Sequence, residues 1–173
     1  MRESSIAATG QTPTQVAASG AIQLLVQLLL SQDTDDVKEV VAVVAGALGI
    51  LAVYAKNRKT IAAAGAIPLL VQLLREGTTR LEEHAAGALW SLAIDAENQK
   101  TIAAAGAIPL LVQLLREGTP TDVIELTARA LNNLVVNANN KKLVGAAGAV
   151  PLLVQLLREG TEGAMEQALR TLG

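Results

Sequence analysis

The sequence predicts an all-α fold made of about four repeated units with three helices each. The first observation is a verbatim repeat, because the nineteen residues TIAAAGAIPLLVQLLREGT occur at 60–78 and again at 101–119. Looser copies run over 143–161 and 16–30. The second observation is the spacing of 45, 41 and 42 residues between one glycine of each copy: Gly20, Gly65, Gly106 and Gly148. A period near 40 in an alanine- and leucine-rich chain is typical of an α-solenoid, whose units stack to build a continuous core.

Composition supports a helical core and argues against several classes of function. Hydrophobic residues make up 51% of the chain, Phe is absent, and Trp90 and Tyr54 are the only aromatic residues. Such a core suits close helix packing but offers little for stacking on bases or cofactors. The formal net charge is −2 and the basic residues are scattered, so nucleic acid is not expected as a partner. The absence of cysteine excludes thiolate metal sites and favours an intracellular location, cytoplasmic or nuclear.

One segment has the composition of a membrane span but not the length. Residues 40–55 contain no charge, whereas a span needs about twenty apolar residues. Glu39 and Lys56 bracket the segment, and it falls where the other units have their longest helix. We therefore expect a buried solenoid helix and no membrane partner. The first ten residues also lack the apolar stretch of a signal peptide.

The unit at 98–140 shows how each helix is delimited. Gly106 ends the first helix, because a residue without Cβ can adopt the left-handed conformation that closes a helix C-terminus. Pro109 lies in the first turn of the second helix, where its missing N–H costs nothing, and Gly118 ends that helix. Thr119 and Pro120 are placed as N-cap and first residue of the third helix. These signals predict helices over 98–105, 109–116 and 120–136, with the second helix, apolar nearly all round, the most buried.

The other units repeat these signals, apart from the first. Proline and glycine recur at the corresponding breaks: Pro68 and Pro151, Gly77 and Gly160. Thr79 and Glu82 have the spacing of a capping box at the start of a third helix. In the first unit Gln23 replaces the proline, and the extra residues at 31–36 predict a longer loop before its third helix.

Three helices per unit, with Gly-Ala-Ile-Pro between the first two, resemble the armadillo repeat. The HEAT repeat, with two helices per unit, is a near relative. The marks of the resemblance are AGAIPLLVQLL at the first break and AAGALWSLA or ARALNNLVV in the third helix. The resemblance implies a right-handed α-solenoid over residues 12–173. It predicts one domain, 1–173, with a tail or partial repeat at 1–11 and units near 12–56, 57–97, 98–139 and 140–173, the last one truncated.

Both ends of this predicted solenoid lack a polar capping unit. The chain is therefore interpreted as a fragment or an engineered member of the family, with apolar stacking faces exposed. Such faces predict a homodimer or end-to-end self-association.

The resemblance also implies a binding groove, on the concave face that the third helices line. Armadillo proteins carry there an asparagine that bonds the backbone of an extended peptide, often with a tryptophan one turn earlier. A constant distance of 15 residues to the following glycine places this position at Ile50, Ser91 and Asn133. Only Asn133 matches the family residue, and Trp90 lies beside Ser91 rather than one turn before it.

The candidate contacts follow from this register. Arg129 precedes Asn133 by four residues, so the two side chains share one helix face. We predict a peptide-binding set of six residues: Asn133, Arg129, Ser91, Glu125, Trp90 and Ile50. A single asparagine nets about 1 kcal/mol against the several kcal/mol of freedom lost on binding, so an asparagine ladder that grips a basic peptide is not expected. Packing of Trp90 between third helices, and bonding of Asn133 to a neighbouring helix, remain as alternatives.

No arrangement of residues predicts catalysis. His84 is the only histidine and has no nucleophile near it in sequence. The glycines at 145–148 lack the Lys-Ser/Thr ending of a phosphate-binding loop. We therefore expect neither enzymatic activity, cofactor nor metal, and predict a non-catalytic scaffold that binds a protein or peptide. The alternative is an engineered or structural repeat scaffold that has no ligand of its own and self-associates.

Overall fold

The computed structural model describes residues 13–30, 35–76, 78–116 and 118–173. Throughout these ranges the regular secondary structure is helical, without a strand. The helices, in chain order, are α1 (Pro13–Leu30), α2 (Asp35–Leu51), α3 (Ala55–Ala63), α4 (Ala66–Glu76), α5 (Thr79–Leu92), α6 (Ala96–Ala104), α7 (Ala107–Gln113), α8 (Thr121–Val135), α9 (Ala138–Ala146), α10 (Ala149–Glu159) and α11 (Glu162–Leu172).

The third helices of successive units pack side by side. Helix α2 lies against α5, α5 against α8, and α8 against α11. A leucine at the same register in each of three units, Leu48, Leu89 and Leu131, is fully buried. Because each unit covers the apolar face of the next, the core is continuous along the chain, as the repeat predicts.

The predicted break between first and second helices is confirmed in three units. Gly65, Gly106 and Gly148 have φ values of 83°, 82° and 81°, the left-handed region that a glycine adopts without strain. The second helix begins at the next residue in each case. The prolines that follow lie exposed in the first turn, where no intrahelical N–H is needed.

The first unit departs from this pattern, and the prediction of separate first and second helices there is wrong. Helix α1 continues through Gly20, which is not among the glycines with positive φ. Gln23, unlike a proline, carries an N–H for the helical ladder and no ring to clash with the preceding turn. Of the predicted loop at 31–36, residues 31–34 lie outside the described residues, and Asp35 already begins α2.

Two predicted helix starts are displaced by one residue. Helix α5 begins at Thr79, so Thr78 is its N-cap; the Thr78 side chain makes no capping hydrogen bond, and the predicted capping box is absent. Helix α8 begins at Thr121, with Pro120 rather than Thr119 as the preceding residue. Gly77, predicted to end the second helix of its unit, lies outside the described residues.

Two further helix bounds differ from the prediction, in the second and first helices of the unit at 98–140. Helix α7 ends at Gln113, three residues before the predicted end, and α6 begins two residues earlier than predicted. Among the second helices, which were predicted to be the most buried, α4 has a buried and an exposed face: Leu70 and Leu73 are fully buried, while Gln72 and Arg75 are exposed.

The uncharged segment at 40–55 is divided between two helices. Helix α2 ends at Leu51, and α3 begins at Ala55. One face of α2 is buried, but Val43 and Ile50 are exposed, so the expected burial holds for only part of the segment. No helix in the described ranges has both the length and the apolar character needed to cross a membrane.

Candidate functional site

The predicted contact residues lie on three adjacent third helices, which we call the third-helix surface (α2, α5 and α8). Ile50 is on α2, Trp90 and Ser91 are on α5, and the other three residues are on α8. The structure brings Trp90, Arg129 and Asn133 into direct contact. Ser91 is buried within the helix packing, whereas Ile50 is largely exposed at the edge of the surface.

Trp90 links α5 to α8 through two contacts. The Asn133 side-chain amide donates a hydrogen bond from Nδ2 to the Trp90 carbonyl oxygen, 3.1 Å away. The Arg129 guanidinium lies over the indole ring, with Cζ 5.1 Å from the ring centroid, a cation–π arrangement. Asn133 thus bonds the neighbouring third helix, and its Oδ1 atom has no partner among the described residues.

Glu125 and Asn132 are directed towards the next unit. The Thr161 hydroxyl donates to Glu125 Oε1 at 2.5 Å, and a Cβ on Gly163 would lie only 3.1 Å from that carboxylate. Asn132 donates from Nδ2 to Gln167 Oε1 at 3.3 Å. These contacts hold α11 against α8, so both residues contribute to the stacking of units.

A depression of about 300 Å³ crosses the third-helix surface, and we call it the α2–α5 groove. The sequence analysis did not predict this groove, although Gly46 and Gly49 on α2 indicated a helix face without side chains. Its lining includes Gly49, Ile50, Val53, Gly87, Trp90 and Leu126. Most of this lining is apolar, and Glu83 and His84 provide its charged or titratable groups.

His84 has a packing contact on this surface. A Cβ placed on Gly46 would be 2.8 Å from His84 Nδ1, so the imidazole occupies the space that the missing side chain leaves. No cluster of three His, Cys, Asp or Glu residues in the described part of the chain could hold a metal ion.

Asparagines that recur at the repeat spacing lie in the first helices, and the sequence analysis did not predict their role. Asn98 and Asn140 are buried. Asn98 donates to the Leu92 carbonyl at 3.2 Å, and Asn140 donates to the carbonyl of Gln99 in the preceding unit at 3.1 Å. Their separation by one repeat length could have predicted a shared structural role. These side chains satisfy backbone groups between units and are not accessible to a ligand.

Comparison with known families identifies the class of protein. The family model described as "Armadillo/beta-catenin-like repeat" matches residues 55–94, 95–136 and 137–173, which is more than half of the chain. The chain therefore belongs to the armadillo/β-catenin-like repeat family. A search of the curated proteins finds no match.

Solved structures similar to this chain include engineered proteins. A crystal structure of an engineered protein is 32% identical over 87% of this chain and 62% of its own, with a TM-score of 0.77. A designed armadillo repeat protein is 26% identical over 88% of this chain and 63% of its own, with a TM-score of 0.80. Another, in complex with the peptide (KR)4, is 27% identical with the same coverage and a TM-score of 0.77. The chain spans about three fifths of the length of these proteins.

Proposed function

We propose that this chain is a non-catalytic scaffold that binds a protein or an extended peptide on the third-helix surface, which is concave in armadillo proteins. The observation that carries the proposal is the cluster of Trp90, Arg129 and Asn133 beside the α2–α5 groove. It places an aromatic ring, a guanidinium and an amide oxygen on two adjacent helices. Similarity to a designed armadillo protein solved with a peptide supports a peptide as the partner.

Each residue of the set has a distinct role in this proposal. The free Oδ1 of Asn133 accepts a hydrogen bond from a peptide N–H, while its Nδ2 stays bonded to Trp90. Arg129 binds an acidic or carbonyl group, and Ile50 supplies apolar area at the edge. Glu125 and Ser91 contribute less, because Glu125 already bonds Thr161 and Ser91 is buried. The proposed binding needs no cofactor, membrane or nucleic acid. We place it in an intracellular setting.

A matched pair of variants tests the surface. A peptide is first selected from a random library against the intact chain, and its affinity is then measured for Asn133→Ala and Asn132→Ala. Each variant loses one hydrogen bond between units, so thermal unfolding of both controls for stability. We expect Asn133→Ala to weaken binding by about 1–2 kcal/mol and Asn132→Ala to leave it unchanged. Loss only with Asn132→Ala shows that the register is displaced by one residue, and loss with neither rejects this surface.

A second candidate function is a structural scaffold that associates with itself and has no other ligand. It is favoured by apolar side chains that are exposed where equivalent residues of other units are buried. Leu28 is 46% exposed and Leu73 is fully buried; Val150 is 50% exposed and Ile108 only 2%. Light scattering after size-exclusion chromatography tests it, because a clean monomer at high micromolar concentration contradicts self-association.

A further inference from the structure

We propose that the α2–α5 groove takes one large apolar side chain of an extended peptide, and that Arg129 binds a carboxylate that follows this side chain. The inference rests on the proposed function, since it names the kind of peptide for the same surface. Three observations carry it: the shape of the groove, its exposed apolar rim and the guanidinium stacked on Trp90 beside it.

The groove exists because small residues leave its floor without side chains. A Cβ on Gly49 would lie 3.1 Å from the Ala88 Cα, so this glycine lets α2 and α5 approach closely. A Cβ on Gly87 would make only an ordinary contact, with Leu126 at 3.7 Å, so a side chain at this position would extend into the groove. A volume of about 300 Å³ is at the low end for small-molecule sites, and it suits one side chain of a peptide better than a cofactor.

The rim of the groove is apolar and accessible. Ile50 is 73% exposed and Val53 is 65% exposed on the α2 side, while half-buried Trp90 and Leu126 close the opposite side. A depression bordered by exposed apolar residues is typical of an interaction site. An apolar side chain seated there removes this apolar surface from water.

Arg129, on α8, provides a cation beside the groove, because it stacks on Trp90, which lines the groove. Stacking on Trp90 holds its guanidinium in place, as the 5.1 Å distance to the ring centroid shows. In the described structure Arg129 forms no ion pair, whereas Arg170, at the same register on α11, pairs with Glu166 at 2.6 Å. The planar donors of Arg129 thus remain available for two-point binding of a carboxylate.

The other charges around the groove determine on which side of the apolar residue the peptide carboxylate lies. Glu83 and His84 line its α5 side, and Glu125 precedes Arg129 by one turn but accepts a hydrogen bond from Thr161. A peptide carboxylate next to Glu83 would meet a like charge. The acidic residue must therefore lie towards α8, beyond the apolar residue.

The single tryptophan makes a direct test possible, because Trp90 borders both the groove and Arg129. The probes are three peptides in a Gly-Ser background: one with Leu followed two residues later by Asp, one with Lys in place of Asp, and one with Ser in place of Leu. The two-residue spacing keeps both side chains on one side of an extended chain. We expect the Leu–Asp peptide to change Trp90 fluorescence and to bind about tenfold more tightly than either control peptide.

Matched variants separate the two parts of the site. Arg129→Gln should reduce Leu–Asp binding to the level of the Leu–Lys peptide, and Arg170→Gln should leave it unchanged. Gly87→Leu should fill the groove and abolish the fluorescence change, because a Cβ there makes only an ordinary contact. Gly145→Leu, with no atom within 4 Å of its Cβ, is the control for the same substitution elsewhere. Circular dichroism checks folding, and if Gly87→Leu does not fold, Arg129→Gln and the peptide comparison decide.

The outcomes distinguish this inference from the proposed function. Equal affinities for the three peptides, or tighter binding of the Leu–Lys peptide, overturn the inference. A library-selected peptide that instead shifts the amide NMR signals of α8 without changing the fluorescence of Trp90 supports the third-helix surface as a binding site. The same outcome rejects the groove as the position of the apolar side chain. Absence of shifts throughout the chain with every selected peptide rejects both.

Discussion

Two segments of identical sequence, 60–78 and 101–119, fold alike at their start and differently at their end. In both, a glycine with left-handed φ, Gly65 or Gly106, separates the first helix from the second. The second helix that follows has eleven residues in the first segment (α4) and seven in the other (α7). The shared residues therefore determine where this helix begins, whereas its end depends on something outside the segment.

The first difference in sequence after the two segments is Pro120 in place of Thr79, and we infer that the proline shortens the helix. Pro120 disfavours the helical conformation for the residue before it, whereas a threonine follows the first segment. The end of α7 tightens accordingly: the Leu115 N–H donates to Val112 O, three residues back instead of four, and Gly118 adopts a φ of 89°. Packing against neighbouring units tolerates either ending, because the same three leucines are buried in each segment: Leu70, Leu73 and Leu74 in one, Leu111, Leu114 and Leu115 in the other.

The largest expected difference concerns the asparagines that precede the two segments. Asn98 is buried, donates to Leu92 O and reaches Arg58 O of the preceding unit at 3.5 Å. Asn57 is half-buried and donates only to Leu51 O, at 2.9 Å. Asn98→Ala should lower the free energy of unfolding by about 2 kcal/mol and Asn57→Ala by about 1, because more buried carbonyl groups lose a partner. Urea unfolding measures both, and equal losses contradict the difference between units.

The glycines at the start of α4 and α7 should behave alike. Gly65→Ala and Gly106→Ala should each destabilise the fold by about 1–2 kcal/mol, because an L-residue is strained at these φ values. Gly20→Ala is the matched control within α1, where no atom lies within 4 Å of the added Cβ, and it should stabilise by about 0.5–1 kcal/mol. Thermal unfolding checks all three. A loss at Gly20→Ala would show that α1 is interrupted there, like the other units.

These cases show which parts of the molecule a sequence can predict. Gly106 and Pro109 act on their own turn, so the start of the second helix was predictable to within two residues in the units that carry both residue types, but not in the first unit. The end of α7 differs although the segment is the same, so it depends on residues outside the repeat, and the α2–α5 groove depends on Gly49 facing Ala88 across two helices. The register placed Arg129 beside Asn133, but the bond from Asn133 to Trp90 depends on the spacing of α5 and α8, which no pattern within one helix encodes.

The first helices that lead into the two segments differ in capping. Asp95 accepts hydrogen bonds from the N–H groups of Glu97 and Asn98, at 3.0 and 3.2 Å, at the start of α6. Tyr54 has the same extended backbone before α3 but makes no side-chain cap. Tyr54→Asp should therefore raise the free energy of unfolding by about 1 kcal/mol. Tyr54→Phe controls for the loss of the hydroxyl. An unchanged unfolding midpoint in Tyr54→Asp would show that an aspartate does not cap α3 as Asp95 caps α6.

Removing the proline tests the cause of the shorter helix directly. In Pro120→Ala we expect α7 to lengthen, with slower hydrogen exchange at the Leu115 and Arg116 amides as three-residue bonds become helical ones. Overall stability should fall by about 0.5 kcal/mol, because the unfolded chain gains freedom. Pro109→Ala, at the start of the same helix, is the control and should not alter exchange at its end. Unchanged exchange in Pro120→Ala would show that packing, rather than the proline, ends the helix.

The smallest effect concerns the helices that follow the two segments, because α5 carries Glu82 where α8 carries Ile124. Burial raises the pKa of the Glu82 carboxyl above its ordinary value of 4.5, so the folded state binds this proton more tightly than the unfolded state. The resulting stabilisation is present below pH 4.5 and is lost as pH rises through the raised pKa. Glu82→Gln cannot titrate and does not lose this stabilisation. Relative to the parent chain, its free energy of unfolding should therefore increase by about 0.3 kcal/mol as the pH rises from acidic to neutral, a small amount because solvent still screens the group. Urea unfolding across this range, with Glu83→Gln as a control for the lost charge, measures the difference; a constant or shrinking difference would show that burial does not disfavour the charged form of Glu82.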